Sequence, residues 1–206
     1  MNFNVNCNNS IGLNGSKKIY IDPYEIKSET HDADYIFCTH SHYDHFSPED
    51  IKKLLKDNTK IITVQAARAE AEKLVGKENV LIVEPNQNYT IDNMSFSTTY
   101  AFNVDKPFHP KANNWVGYII DLDGTKYYIA GDTDNILEIR NVIADVAFLP
   151  VGGTYTMDYK EAADLANVLN VKTVVPTHYG SVAGKKEDGE NFKRLVKNKE
   201  VVVFDI

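Results

Sequence analysis

Apolar positions along this chain follow two periods in turn, and their order predicts its class. Short β-prone runs lie at Lys18-Ile19-Tyr20-Ile21, Tyr35-Ile36-Phe37-Cys38, 60–64 and 79–83, the last three separated by stretches with helical spacing. Ile11-Gly12-Leu13 and the run ending at Ile21 are joined by Asn14-Gly15-Ser16 and predict a hairpin closed by Asp22-Pro23. A helix starts at Ser47, which can cap. Pro48 suits the first helical position, Glu49 and Asp50 favour the positive helix end, and Ile51, Leu54 and Leu55 form one apolar face. Residues 65–75 predict a second helix ending near Gly76. Strand, helix, strand, helix, strand implies a right-handed α/β layer structure.

The second half begins with strand patterns at 89–91 and 94–101, split by Asp92-Asn93. Two more, 116–122 and 125–130, are joined by the hairpin signal Asp123-Gly124. Between these pairs runs a long loop, 102–115, which holds the only tryptophan and His109; a loop of that length is more often functional than idle. A buried strand over 145–150 leads into Val151-Gly152-Gly153-Thr154. Asp158 and Glu161 make a capping box for a helix whose apolar face includes Ala162, Leu165, Ala166 and Leu169. A strand over 171–176, a helix around Phe192, Leu195 and Val196, and a last strand over 201–204 complete the pattern. With no linker, low-complexity segment or tandem repeat, residues 1–206 are expected to form one domain.

Composition narrows the function. The chain is 43% hydrophobic and 25% charged, as soluble globular proteins are. Its net charge of −7 argues against nucleic acid and anionic membrane as partners, because phosphate binding is driven by basic side chains. The first residues have neither a basic nor an apolar leader pattern, and no run approaches a membrane span, so a cytoplasmic protein is expected. Cys7 and Cys38 are too few for a disulfide framework and are expected to be reduced. The Asn-X-Ser/Thr triplets at Asn8, Asn14, Asn88 and Asn93 are then coincidental. Lys106 and Lys111 on either side of His109, and Lys185-Lys186, are local basic spots that either steer an anionic substrate or are simply solvated.

The chemistry concentrates in Thr39-His40-Ser41-His42-Tyr43-Asp44-His45-Phe46, directly after a strand. In an extended segment residues i and i+2 point the same way, so His40 and His42 can serve one ion while the following turn sends Asp44 and His45 toward a second. Imidazole and carboxylate suit zinc first, with manganese or iron as alternatives. Asp22 at its strand end is either a turn residue or an acceptor that orients a metal-bound imidazole. Taken alone, Asp132 in Ala130-Gly131-Asp132-Thr133 reads as a turn residue and His178 in Pro176-Thr177-His178-Tyr179 as a structural histidine.

Together these stretches resemble the metallo-β-lactamase superfamily in order and spacing: Ile21-Asp22-Pro23, the His-X-His-X-Asp-His run, Ala130 to Thr133, Leu149-Pro150-Val151-Gly152-Gly153 with Thr156-Met157, and Pro176 to Tyr179. The branch it looks most like contains the L-ascorbate 6-phosphate lactonase-like proteins and other metal-dependent hydrolases. The resemblance implies an α/β fold, the four-layer αββα sandwich. It implies a first metal on His40 and His42, a second on Asp44, His45 and His178, and Asp132 bridging them. Where the family places a third imidazole on the first metal, the chain reads Ala101-Phe102-Asn103. Either His109 fills that position with Asn103 hydrogen-bonding nearby, or the first site is weakened.

The expectation is a hydrolase that uses two divalent ions and a bridging hydroxide on a small, anionic lactone, ester or phosphoester. Asp22, Asp44 and Asp132 are the catalytic carboxylates in this reading, and Asn103, Lys106, Lys111, Gly153, Thr154 and Tyr179 the substrate contacts. The alternative is a non-catalytic metal-binding or sensor protein on a degenerate scaffold. Assembly into a homo-oligomer stays open.

Overall fold

The structure is a computed structural model that describes residues 2–205. The chain divides into two compact units, one running to Glu84 and one from Pro85 on.

The first unit holds a six-stranded mixed sheet. Its strands lie side by side in chain order: β1 (Phe3–Val5), β2 (Ile11–Asn14), β3 (Lys18–Ile21), β4 (Ala33–Phe37), β5 (Leu55–Thr63) and β6 (Val80–Ile82). The first three are antiparallel and the last four parallel. Helix α1 (Pro48–Lys52) links β4 to β5, and α2 (Arg68–Val75), entered through a 3-10 turn at Gln65–Ala67, links β5 to β6. Ser47 caps α1 as expected, its hydroxyl accepting from the Asp50 N–H. Ile36, Ile51, Leu54, Ile61 and Ala71 form part of one buried cluster, so the apolar helix faces and the strands share a core.

One local expectation needed correction here, and one strand was not foreseen. Helix α1 stops at Lys52 and Leu55 already opens β5, because Thr30 and His31 take the Lys53 carbonyl and Ala33 takes that of Leu54. The carbonyls that would continue the helix are spent on the start of β4 and the residues leading into it. β1 went unassigned, since the alternation of Phe3-Asn4-Val5 is too short to stand out among the asparagines around it.

The second unit holds a seven-stranded mixed sheet. In chain order its strands are β7 (Asn88–Ile91), β8 (Met94–Tyr100), β9 (Val116–Leu122), β10 (Thr125–Ile129), β11 (Val146–Pro150), β12 (Thr173–Thr177) and β13 (Glu200–Val201), adjacent in that order. β7 to β10 are antiparallel meanders and β10 to β13 are parallel. Helix α3 (Tyr159–Val168) has the expected capping box, with Asp158 accepting from the N–H groups of Lys160 and Glu161 and the Glu161 carboxylate accepting from the Asp158 N–H. Ala162, Leu165, Ala166 and Leu169 are buried with Tyr128, Leu149, Val174 and Phe192 of α4 (Asp188–Leu195). The last strand is shorter than the apolar run predicts: beyond Val201 the Val202 N–H still donates to the Val174 carbonyl, and the Phe204 carbonyl accepts from the Tyr179 hydroxyl.

Register then places the chemistry. Ile21 pairs with Phe37, so parallel β3 and β4 release Asp22 and Thr39 at the same sheet edge. In the second unit β8 and β10 both run antiparallel to β9, and β10, β11 and β12 run parallel. The segments after β8, β10 and β12, carrying Asn103, Asp132 and His178, therefore leave from one edge.

Candidate metal centre

In the first unit the centre is built around Asp22, which is fully buried with a left-handed φ of 45°. One carboxylate oxygen accepts from the Thr39 N–H at 2.7 Å; the other accepts from Asn9 Nδ2 at 2.7 Å, Thr39 Oγ1 at 2.8 Å and His45 Nδ1 at 2.7 Å. A carboxylate only accepts, so Nδ1 of His45 carries the proton and Nε2 presents its lone pair. That Nε2 lies 3.3 Å from Asp44 Oδ2, which already accepts from Asn8 Nδ2 at 2.9 Å. Because the Thr39 hydroxyl hydrogen goes to Asp22, its oxygen accepts from His40 Nδ1 at 3.0 Å, leaving His40 Nε2 aimed at His42 Nδ1, 3.1 Å away.

The second unit repeats this logic with an amide in place of the carboxylate. Asn103 Nδ2 donates to Asp134 Oδ1 at 3.0 Å and to the Tyr155 carbonyl at 2.9 Å, which uses both of its hydrogens and fixes the amide's orientation. Its Oδ1 therefore faces His109, accepting from the backbone N–H at 3.1 Å and from Nδ1 at 3.0 Å. Nε2 of His109 is left as the lone-pair nitrogen, 3.2 Å from Asp132 Oδ2, and His178 Nε2 approaches the same oxygen at 3.1 Å. His178 has a left-handed φ of 56°, a costly backbone for a residue with a side chain. Gly152 accommodates it, since any Cβ there would collide with the His178 carbonyl.

Lone pairs that face one another repel unless a proton or a metal cation lies between them. His45 with Asp44, and His109 with Asp132, are such pairs, both buried. Ligands held 2.0 to 2.1 Å from a tetrahedral zinc stand about 3.3 Å apart. The observed separations of 3.1 to 3.3 Å match that edge. The residues that could hold a metal are thus His40, His42, Asp44 and His45 in the first unit and His109, Asp132 and His178 in the second. Cys38, directly before Thr39, is fully buried, and burial and then the charge of Asp22 push its thiol well above its usual range.

The model of the beta-lactamase superfamily domain matches residues 6–178 of this chain. A UPF0173 metal-dependent hydrolase of Thermococcus kodakarensis is 36% identical, with 93% of this chain and 90% of the relative covered. The chain belongs to the UPF0173 metal-dependent hydrolase family. Among solved structures, a protein of Parabacteroides distasonis described as a candidate metal-dependent hydrolase is 28% identical with a TM-score of 0.79, over 97% of this chain and 90% of that one. A Thermotoga maritima protein described as a candidate zinc-dependent hydrolase of the metallo-beta-lactamase superfamily is 22% identical with a TM-score of 0.64, over 99% and 98%. This family member has the metallo-β-lactamase-like fold, two mixed sheets with helices.

The residues expected to touch substrate divide in this family member. Asn103 is buried and occupied with His109, Asp134 and Tyr155. Lys106 Nζ sits 2.6 Å from Asp134 Oδ1, and Lys111 Nζ sits 2.7 Å from Glu138 Oε1 and over the rings of Tyr100 and Phe102. Both ammonium groups are thereby balanced by carboxylates. Gly153 donates its N–H to the Met157 carbonyl and Thr154 donates to the Gly152 carbonyl, so both backbone donors shape their own loop, while the Thr154 side chain is exposed. Tyr179 is buried, with its phenol pushed up to about 12 by burial and then by Glu190, Asp205 and Asp188. Asn8, Asn9, Thr39 and Asp134 were not foreseen as site residues. No helix among the described residues is long and apolar enough to cross a membrane.

Proposed function

We propose that this protein hydrolyses a lactone, ester or phosphoester bond in a small molecule. In this reading His40, His42 and His109 hold one divalent ion, Asp44, His45 and His178 hold another, and Asp132 serves both. Zinc is the first choice of ion, supported by the imidazole-carboxylate donor set. The lactone is the first bond to try, from the resemblance to L-ascorbate 6-phosphate lactonase-like proteins. The observation that carries the reading is the lone pair of His109 Nε2 facing Asp132 Oδ2, with the tautomer fixed from behind by Asn103.

Divalent ions bound there would polarise the substrate oxygen and lower the pKa of water, to about 7 in zinc enzymes. The chain's own residues do the rest. Asp22 holds the His45 proton on Nδ1, Thr39 does the same for His40, and Asn103 does so for His109. Each imidazole is kept in one tautomer and one orientation, which raises its basicity as a ligand. The sensor alternative depended on Asn103 being a vacated ligand position; its role in orienting His109 supports the catalytic reading instead.

The test is a screen of the zinc- or manganese-loaded protein against lactones, carboxylic esters and phosphodiesters. Hydrolysis of at least one class is expected, and His42→Ala or Asp132→Ala should remove it together with bound metal. Full activity in either variant would sink the assignment.

A further inference from the structure

The loop between β8 and β9 holds His109 Nε2 3.2 Å from Asp132 Oδ2, and its exposed residues have a chemistry of their own. Asn103 N–H donates to the His109 carbonyl at 2.8 Å and His109 N–H donates back to the Asn103 side chain, so residues 104–108 form a closed loop with locked ends. Val104 N–H and Lys106 Nζ both donate to Asp134, which fastens the loop a third and fourth time. At its two ends, next to Asn103 and His109, Val104 is 65% and Phe108 42% exposed. Phe108 packs edge-on to Tyr155 with ring centroids 4.8 Å apart, and Tyr155 is itself tied to Asn103 through its carbonyl. Val104 and Phe108 thus offer apolar surface on a loop whose ends are fixed at Asn103 and His109. The two lysines of this loop are balanced by Asp134 and Glu138, so it offers no uncompensated positive charge to an anion.

We infer that Val104, Phe108 and Tyr155 form a specificity contact for an uncharged, apolar or aromatic substituent of the substrate, so that the favoured compound is an alkyl- or aryl-substituted lactone or ester rather than a phosphorylated or carboxylated one. The inference rests on the hydrolase reading above and names the part of the substrate that lies beyond the scissile bond. A contact of this size discriminates by roughly tenfold or more for each well-covered apolar group.

The experiment compares the metal-loaded full chain with its Phe108→Ala variant. The probes are γ-octalactone and a γ-lactone of equal length whose side chain ends in a carboxylate. Binding is read from the emission of Trp115, the single tryptophan, whose ring lies 5.3 Å from that of His109, and hydrolysis from the acid released. The expected result is tighter binding and faster hydrolysis of the octalactone, with that preference falling about tenfold in Phe108→Ala while metal content and circular dichroism stay the same. A preference for the carboxylated probe, or an octalactone preference unchanged by the substitution, would overturn the inference. So would loss of a dimer in Phe108→Ala with the preference intact, since a second copy would then be what covers the patch. Selective binding of the octalactone without turnover of either lactone would uphold the contact and count against the hydrolase reading.

Discussion

Replacing Asp22 by Asn tests the wiring of the centre without changing its shape. The buried carboxylate takes four donors at 2.7 to 2.8 Å. An amide of the same size accepts through one oxygen only. With its nitrogen in the Oδ2 position it points two hydrogens at Asn9, Thr39 and His45. With its nitrogen at Oδ1 it opposes the Thr39 N–H. The first orientation forces the His45 proton from Nδ1 to Nε2, the atom that faces Asp44, and so removes the ligand lone pair. Loss of such a partner typically weakens metal binding 10- to 100-fold, about 1.4 to 2.7 kcal/mol. The unsatisfied donors cost a further ~1 to 3 kcal/mol of folding stability. Zinc affinity is measured by competition with a chromophoric chelator in the parent, Asp22→Asn, His45→Ala and the double variant. The double variant should lose less than the sum of the two single losses, because most of the Asp22 effect passes through that imidazole and only the rest reaches His40 through Thr39. Equal affinity in the parent and Asp22→Asn, or additive losses in the double variant, would refute the reasoning.

Asn103→Leu should lower affinity for one of the two metal equivalents about 10- to 100-fold and leave the other within a few-fold, as read by the same competition; equal loss of both would contradict the role given to Asn103. Asp50 accepts from the Glu25 and Ile26 N–H groups, Ser47 Oγ and Lys53 Nζ, and despite burial these partners hold its carboxyl below the usual range. A depressed folded pKa contributes stability that is complete above the unfolded value near 4 and is lost as pH falls through the folded value. Asp50→Asn should therefore be about 1.5 to 3 kcal/mol less stable than the parent in denaturant titrations at pH 7, and the gap should close at the acid end; a gap independent of pH would rule this out.

The ligand run was legible because His40, His42, Asp44 and His45 are nearly contiguous and follow an apolar strand, so local period and residue type agree. The capping box at Asp158 and Glu161 and the Asp123-Gly124 hairpin were readable for the same reason, since each is a short-range signal. What escaped depends on contacts made far along the chain. Asn8 reaches Asp44 across 36 positions and Asn9 reaches Asp22 across 13, and nothing in an asparagine-rich start distinguishes them from turn residues. Asp134 serves Asn103, Val104 and Lys106 from about 30 positions away. At position 103 the sequence left two alternatives open, and the hydrogen bond from His109 Nδ1 to Asn103 Oδ1 is the contact expected in the first of them. Lys106 and Lys111 read as available cations because their carboxylate partners lie 28 and 27 positions downstream.

Metal content per chain, by elemental analysis of protein prepared without chelator or affinity-tag metal, tests the central claim most directly when set beside a His109→Ala variant. Two equivalents are expected in the parent, with a fall toward one in the variant. One equivalent or fewer in the parent, unchanged by the substitution, would contradict that claim and leave His109 outside the centre.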